Sequence, residues 1–185
     1  MPKLLYALLL CLLAAACSPA LTTTATTDRP KTFTEMLAAN CGKSFGGTTI
    51  FPADGTDPFA GKALVMHIQT CNDSTIRIPF YVGEDRSRTW VLTNVPEGLQ
   101  LKHDHRHEDG TPDEVTMYGG ISTLHADSLA QRFPADAYTA ALIPAAATNE
   151  WTMALSPDGK KFSYILKRDG KMRFQADFDL TKPLK

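Results

Sequence analysis

The sequence predicts an all-β fold: an antiparallel up-and-down meander of about eight strands closed into a barrel, with one or two short helices. Period-two alternation of apolar and polar residues runs through most of the chain from Ala63 onward. Turn-forming clusters punctuate that alternation at short, regular intervals. The chain length suits one domain, and closing a meander of this size removes its open edges. A two-sheet sandwich is the alternative architecture.

The N-terminus is distinct from the rest. Met1-Pro2-Lys3 is followed by an uncharged apolar run from Leu4 to Ala16. One positive charge ahead of about 13 apolar residues has the layout of a secretory signal peptide, and the run is shorter than the about 20 residues that a spanning helix needs. It ends Leu12-Leu13-Ala14-Ala15-Ala16-Cys17-Ser18. This resembles a bacterial lipobox, in which small residues precede a cysteine that is acylated and becomes the new N-terminus. The resemblance implies a signal peptide over 1–16, lipidation of Cys17, and export to the cell envelope with a lipid anchor in the membrane. Ser18 directly after the cysteine fits the outer membrane, facing the periplasm. Cleavage after Ser18-Pro19-Ala20 competes, because small residues also sit at the required spacing there.

Residues 17–31 contain SPALTTTATTDRPK, a threonine- and proline-rich stretch with little to bury, and are expected to be a flexible linker to a β-domain over 32–185. With Cys11 in the signal peptide and Cys17 lipidated, Cys41 and Cys71 remain as an even pair in an oxidising compartment. A disulfide between them would close a loop of about 30 residues and contribute about 3–4 kcal/mol on the chain-entropy account. Two free buried thiols are the other possibility. The formal net charge of −1 offers no electrostatic footprint for nucleic acid.

Within the domain, Phe33 to Ala39 reads as a short helix ended by Asn40-Cys41-Gly42. Ala63 to Cys71 reads as a buried strand. Asn72-Asp73-Ser74 turns the chain into Thr75–Val82, where Ile76, Ile78, Phe80 and Val82 share a face. Thr89–Val95, Leu99–Glu108 and Val115–Ser122 follow as strands. Ala126 to Ala141 breaks the alternation and suggests a helix interrupted at Pro134. Trp151, Met153 and Leu155 then face one way before the Ser156-Pro157-Asp158-Gly159 turn. Phe162, Tyr164 and Leu166 form the return strand. Past Asp169-Gly170, Met172, Phe174, Ala176, Phe178 and Leu180 line one side of the last strand, with Arg173, Gln175, Asp177 and Asp179 on the solvated side.

Stretches including Arg77-Ile78-Pro79-Phe80, Arg88-Thr89-Trp90, Tyr118-Gly119-Gly120, Phe133-Pro134-Ala135-Asp136 and Phe178-Asp179-Leu180-Thr181 resemble uncharacterised secreted bacterial proteins of lipocalin-like (calycin) character. The resemblance spans most of Cys41 to Pro183. It implies a lipocalin-like barrel and assigns no activity or functional residues. By analogy of fold, such a barrel would bind a small apolar or amphipathic ligand without catalysis, Phe162, Tyr164, Phe174 and Phe178 being candidates to line the cavity.

The main chemical constellation is Leu99–Glu108, LQLKHDHRHE. On a strand, His103, His105 and His107 point to one face, and Asp104, Arg106 and Glu108 to the other. Imidazole nitrogens at this spacing suit a transition metal such as zinc, with His67 on a neighbouring strand as a further ligand. A metalloenzyme would add an open coordination position and a general base, for which Glu108 and Asp109 are nearest. A buried polar network within or beside the barrel and a solvated strand end are the readings that the pattern favours over a metal site. Arg86 and Arg88 near Trp90 suggest a cation–π pair, an anion site, or ion pairs with Glu84 and Asp85. Ser122, His125 and Ser128 lie close in sequence without a nucleophile-elbow pattern. An envelope structural or interaction protein with a filled barrel is the remaining functional class.

Overall fold

A computed structural model describes residues 31–57 and 59–185. The expected signal peptide over 1–16, Cys17, the Ala20 cleavage alternative and nearly all of the expected linker lie outside the described residues. The fold is all-β, with eleven antiparallel strands in a nearly closed barrel and two short α-helices.

Helix α1 (Phe33–Ala38) opens the domain behind a capping box, in which the Thr32 hydroxyl accepts the Glu35 N–H and the Glu35 carboxylate accepts the Thr32 N–H. Phe33 and Leu37, one turn apart, are fully buried in the barrel core. The strands are β1 (Ser44–Phe51), β2 (Leu64–His67), β3 (Thr70–Cys71), β4 (Thr75–Val82), β5 (Asp85–Val95), β6 (Gly98–His105), β7 (Tyr118–Ile121), β8 (Ala130–Pro134), β9 (Asn149–Leu155), β10 (Lys161–Arg168) and β11 (Lys171–Pro183). Helix α2 (Ala137–Leu142) and a 3-10 turn (Pro144–Ala146) link β8 to β9.

The strands follow the order β7-β6-β5-β4-β2-β1-β11-β10-β9-β8, so that β1 returns to pair with β11, and the short β3 pairs with β4 beside that path. The strand expected over Ala63–Cys71 is broken at Ile68-Gln69 into β2 and β3, which both pair with β4. Two strands were not foreseen. β1 contains Gly46, Gly47 and two threonines, with little apolar alternation to reveal it. β8 lies where the sequence suggests an interrupted helix: Gln131 and Phe133 point inward, Arg132 and Pro134 outward, and the helical residues come only after Pro134. The remaining departures are at strand ends. β5 begins at Asp85, ahead of the expected Thr89, while β6 stops at His105 and β7 is reduced to four residues.

The disulfide Cys41–Cys71 is formed, joining the chain after α1 to β3. The Phe33 N–H bonds to Ala126 O in the β7–β8 loop, and Met36 reaches the Gly159 turn between β9 and β10. α1 therefore lies across the barrel end where those turns cluster. The opposite end is bordered by the β1–β2 loop, the β4–β5 and β10–β11 turns, and the α2 crossover.

Closure occurs at the β7–β8 seam, where no ladder forms. Thr123 N–H bonds to Arg132 O at one end of the seam and Asp136 N–H to Gly119 O at the other. Between them the backbones come so close that a Cβ on Gly120 would lie 1.8 Å from Pro134 O. Only glycine fits there. The fully buried Thr139 of α2 completes the seam: its hydroxyl accepts the Gly119 N–H at 2.7 Å and donates to Gly119 O at 2.9 Å. A side chain from a helix thus supplies the partner that a neighbouring strand would otherwise provide.

Candidate ligand-binding cavity

The barrel encloses a cavity of about 370 Å³ at the end opposite α1. Strand registers order its lining by depth. In the deepest layer Trp90 of β5 lies beside His103 of β6, with Tyr164 of β10 across the interior. Phe80, Trp90 and Tyr164 form one stack, with ring centroids 4.5 Å apart at each step. The next layer holds Arg88 beside His105 and, across the interior, Leu166 beside Trp151. Arg168 and Asn149 are paired at the mouth, where Phe59, Ile143 and Arg173 also border the opening.

His103 is 4% exposed, and its hydrogen bonds fix its tautomer. Nδ1 lies 3.1 Å from the Tyr118 carbonyl oxygen, which can only accept, so Nδ1 carries the proton. Nε2 is then the acceptor, and the Tyr164 hydroxyl donates to it at 2.9 Å. Burial holds the His103 imidazole neutral, its pKa pushed down to about 3, with the nearby His105 and Lys102 acting in the same direction. Above it, the Tyr118 ring stacks on His103 at 4.6 Å, and the Tyr118 hydroxyl meets His105 Nε2 at 3.0 Å. Burial raises Tyr118 to about 12 and lowers His105, where the Arg88 charge adds to the effect.

The four histidines considered as metal ligands do not converge. His103 and His105 line the cavity, with His103 engaged through both ring nitrogens and His105 through Nε2. His107 lies beyond the end of β6 and is exposed. Its Nε2 is 3.7 Å from a Glu114 oxygen. His67 is outside the cavity: its Nδ1 makes a short contact with the Ser44 hydroxyl and its ring packs on Tyr81. Among the described residues, one set of three potential ligands has donor atoms within 4.8 Å of one another, His107, Asp113 and Glu114, on the surface of the β6–β7 loop. Glu108 and Asp109 sit in the same exposed loop, away from the cavity lining.

On the outer face, Asp104 is 2% exposed between Arg77 and Arg106. Burial pushes its carboxyl up, but hydrogen bonds from both guanidinium groups outweigh this and hold it below the usual range. Arg88 pairs with Asp85 at 2.5 Å and lies over Phe59, and Arg86 lies over Tyr81. Both cation–π contacts thus avoid Trp90, the partner expected from sequence proximity. The Ser122 hydroxyl donates to Gln131 and is not free for chemistry.

Of the four aromatic residues proposed for the cavity, Tyr164 and Phe174 line it, while Phe162 and Phe178 pack in the core. Sequence reasoning missed Arg168, Arg173, Asn149, Phe59 and Ile143. Arg173 is instructive: strict alternation with Phe174 turns it outward. Leu166 pairs with Phe174 but Lys167 with Met172, so Arg173 is the extra residue of a β-bulge, which re-aims its side chain to the mouth. No family model matches the chain, and no curated protein is similar to it.

Proposed function

We propose that this protein is a non-enzymatic binding barrel of the bacterial cell envelope, anchored through Cys17, that takes a small apolar or amphipathic molecule into the end opposite α1. The observation that carries this reading is the cavity of about 370 Å³ lined largely by aromatic side chains. That volume lies at the lower end of the ~300–1,000 Å³ range of small-molecule sites. The state of its polar groups also supports binding over chemistry. His103 is neutral and engaged through both nitrogens, and Tyr164 is raised well above the usual phenol range by burial. Neither is poised to exchange a proton near neutral pH. The lipocalin-like resemblance of the sequence agrees with such a role.

The test is native mass spectrometry of the full-length gene product purified from the envelope, with masses compared before and after denaturation. The expected result is a non-covalent organic adduct that disappears on denaturation, together with an acyl modification lost in Cys17→Ser. A bare chain that also leaves its tryptophan emission unchanged in the presence of apolar dyes would overturn the binding reading.

A further inference from the structure

We infer that the ligand is an organic anion: an apolar, largely flat body held among the rings, with one acidic group at the mouth. This rests on the binding reading above and specifies the ligand class for the same cavity. Among the described residues, the charged side chains lining the cavity are Arg88, Arg168 and Arg173, and no carboxylate lines it. Arg88 is offset by Asp85, but among the described residues neither Arg168 nor Arg173 forms an ion pair. Arg168 spends its Nε on Asn149 Oδ1 at 2.8 Å, which orients the guanidinium and leaves its terminal amino groups without a carboxylate. Arg173 reaches the mouth because it is the bulged residue of β11, a backbone irregularity that a plain barrel strand does not need. Two unpaired guanidinium groups beside an aromatic chamber match an anionic headgroup on an apolar body, since guanidinium groups form charge-assisted, often bidentate bonds to acidic oxygens. Deeper in, the aromatic rings offer flat faces, and the polar groups of His103 and Tyr164 bond to each other and ask nothing of a ligand.

The chain reports on its own cavity. It has two tryptophans, Trp90 and Trp151, and both line the cavity. Two dyes of nearly the same aromatic framework separate shape from charge: anionic anilinonaphthalene sulfonate and neutral phenylnaphthylamine. Each is titrated into the full chain, following dye emission and tryptophan quenching. The sulfonate should bind about tenfold tighter or more, as expected when charge-assisted hydrogen bonds are gained. Added salt should erode that preference and leave the neutral dye unaffected. Arg173→Gln, at an exposed position that does not threaten folding, should remove a large part of the preference, and Arg173→Glu should reverse it. Arg168→Gln should act in the same direction. Arg132→Gln, on the outer face of β8, should change neither dye. Equal affinity for both dyes, or a preference that survives Arg168→Gln/Arg173→Gln, overturns the anion inference and leaves the binding barrel standing. Failure of both dyes to bind or to quench tryptophan overturns the binding reading itself.

Discussion

The imidazole of His103 and the phenol of Tyr164 share a hydrogen bond inside the barrel whose direction is fixed from the far side of the ring: the Tyr118 carbonyl takes the Nδ1 proton, so Tyr164 donates to Nε2. Tyr164→Phe removes that donor while keeping the ring stacked on Trp90. It leaves His103 Nε2 without its partner. An unpaired buried polar atom costs about 1–3 kcal/mol, so the urea midpoint should fall by that equivalent. A variant as stable as the parent would show that water or ring rotation re-satisfies His103.

The same burial makes stability depend on pH in a stated direction. The folded pKa of His103 is about 3, whereas free imidazole titrates near 6.5. Below pH ~6.5 the unfolded chain takes up a proton that the folded chain refuses, so the contribution is complete above that pH and is lost as pH falls toward 3. His105 and His67 are lowered too and add in the same sense. Asp85 and Asp179, each lowered to about 2, keep their contribution down to pH ~4 and lose it only as the pH falls further. Chemical denaturation between pH 4.5 and 6.5, a chosen experimental window, should therefore show stability rising with pH, by at most about 1.4 kcal/mol per unit for each histidine. His103→Gln should flatten the slope, and an unchanged slope would assign the dependence to other groups.

Reduction tests the cross-link between α1 and β3. The Cys41–Cys71 loop spans a sequence separation of 30, for which chain entropy predicts about 3–4 kcal/mol of stabilisation. Cys41→Ser/Cys71→Ser should lose that much in a urea titration. Because Phe33 and Leu37 sit just before Cys41 in the core, amide exchange should accelerate first in α1 and β3. Uniform acceleration across the barrel would mean that the bridge acts only through the unfolded state.

The barrel was legible in the sequence where burial alternates cleanly, as in Ile76, Ile78, Phe80 and Val82 on β4 or Trp151, Met153 and Leu155 on β9. It was illegible where backbone contacts set the structure. β1 is built on Gly46, Gly47 and threonines, and β8 hides beside alanines that read as helical. The site was half legible for a related reason. His103 and His105 do face inward together, as their spacing requires. Nothing in the string LQLKHDHRHE says that the strand ends at His105 and leaves His107 in a loop. Nor does alternation foretell the bulge that places Arg173 at the mouth, because one extra residue reverses the side a chain presents.

The seam between β7 and β8 supplies the last prediction, since it replaces a ladder with one side chain and one missing Cβ. Thr139→Val keeps the shape of the buried residue but removes both hydrogen bonds to Gly119. The Gly119 N–H loses its partner outright, while its carbonyl still accepts from Asp136 N–H. One orphaned buried donor implies a loss of about 1–3 kcal/mol. Gly120→Ala attacks the same seam sterically: its Cβ would meet Pro134 O, a backbone atom that moves only if β8 shifts. Its cost should exceed that of Thr139→Val, and the two changes should be less than additive, because either one already parts the strands. Urea denaturation of the single and double variants measures this coupling. Strict additivity would show that Thr139 and Gly120 hold the barrel shut independently.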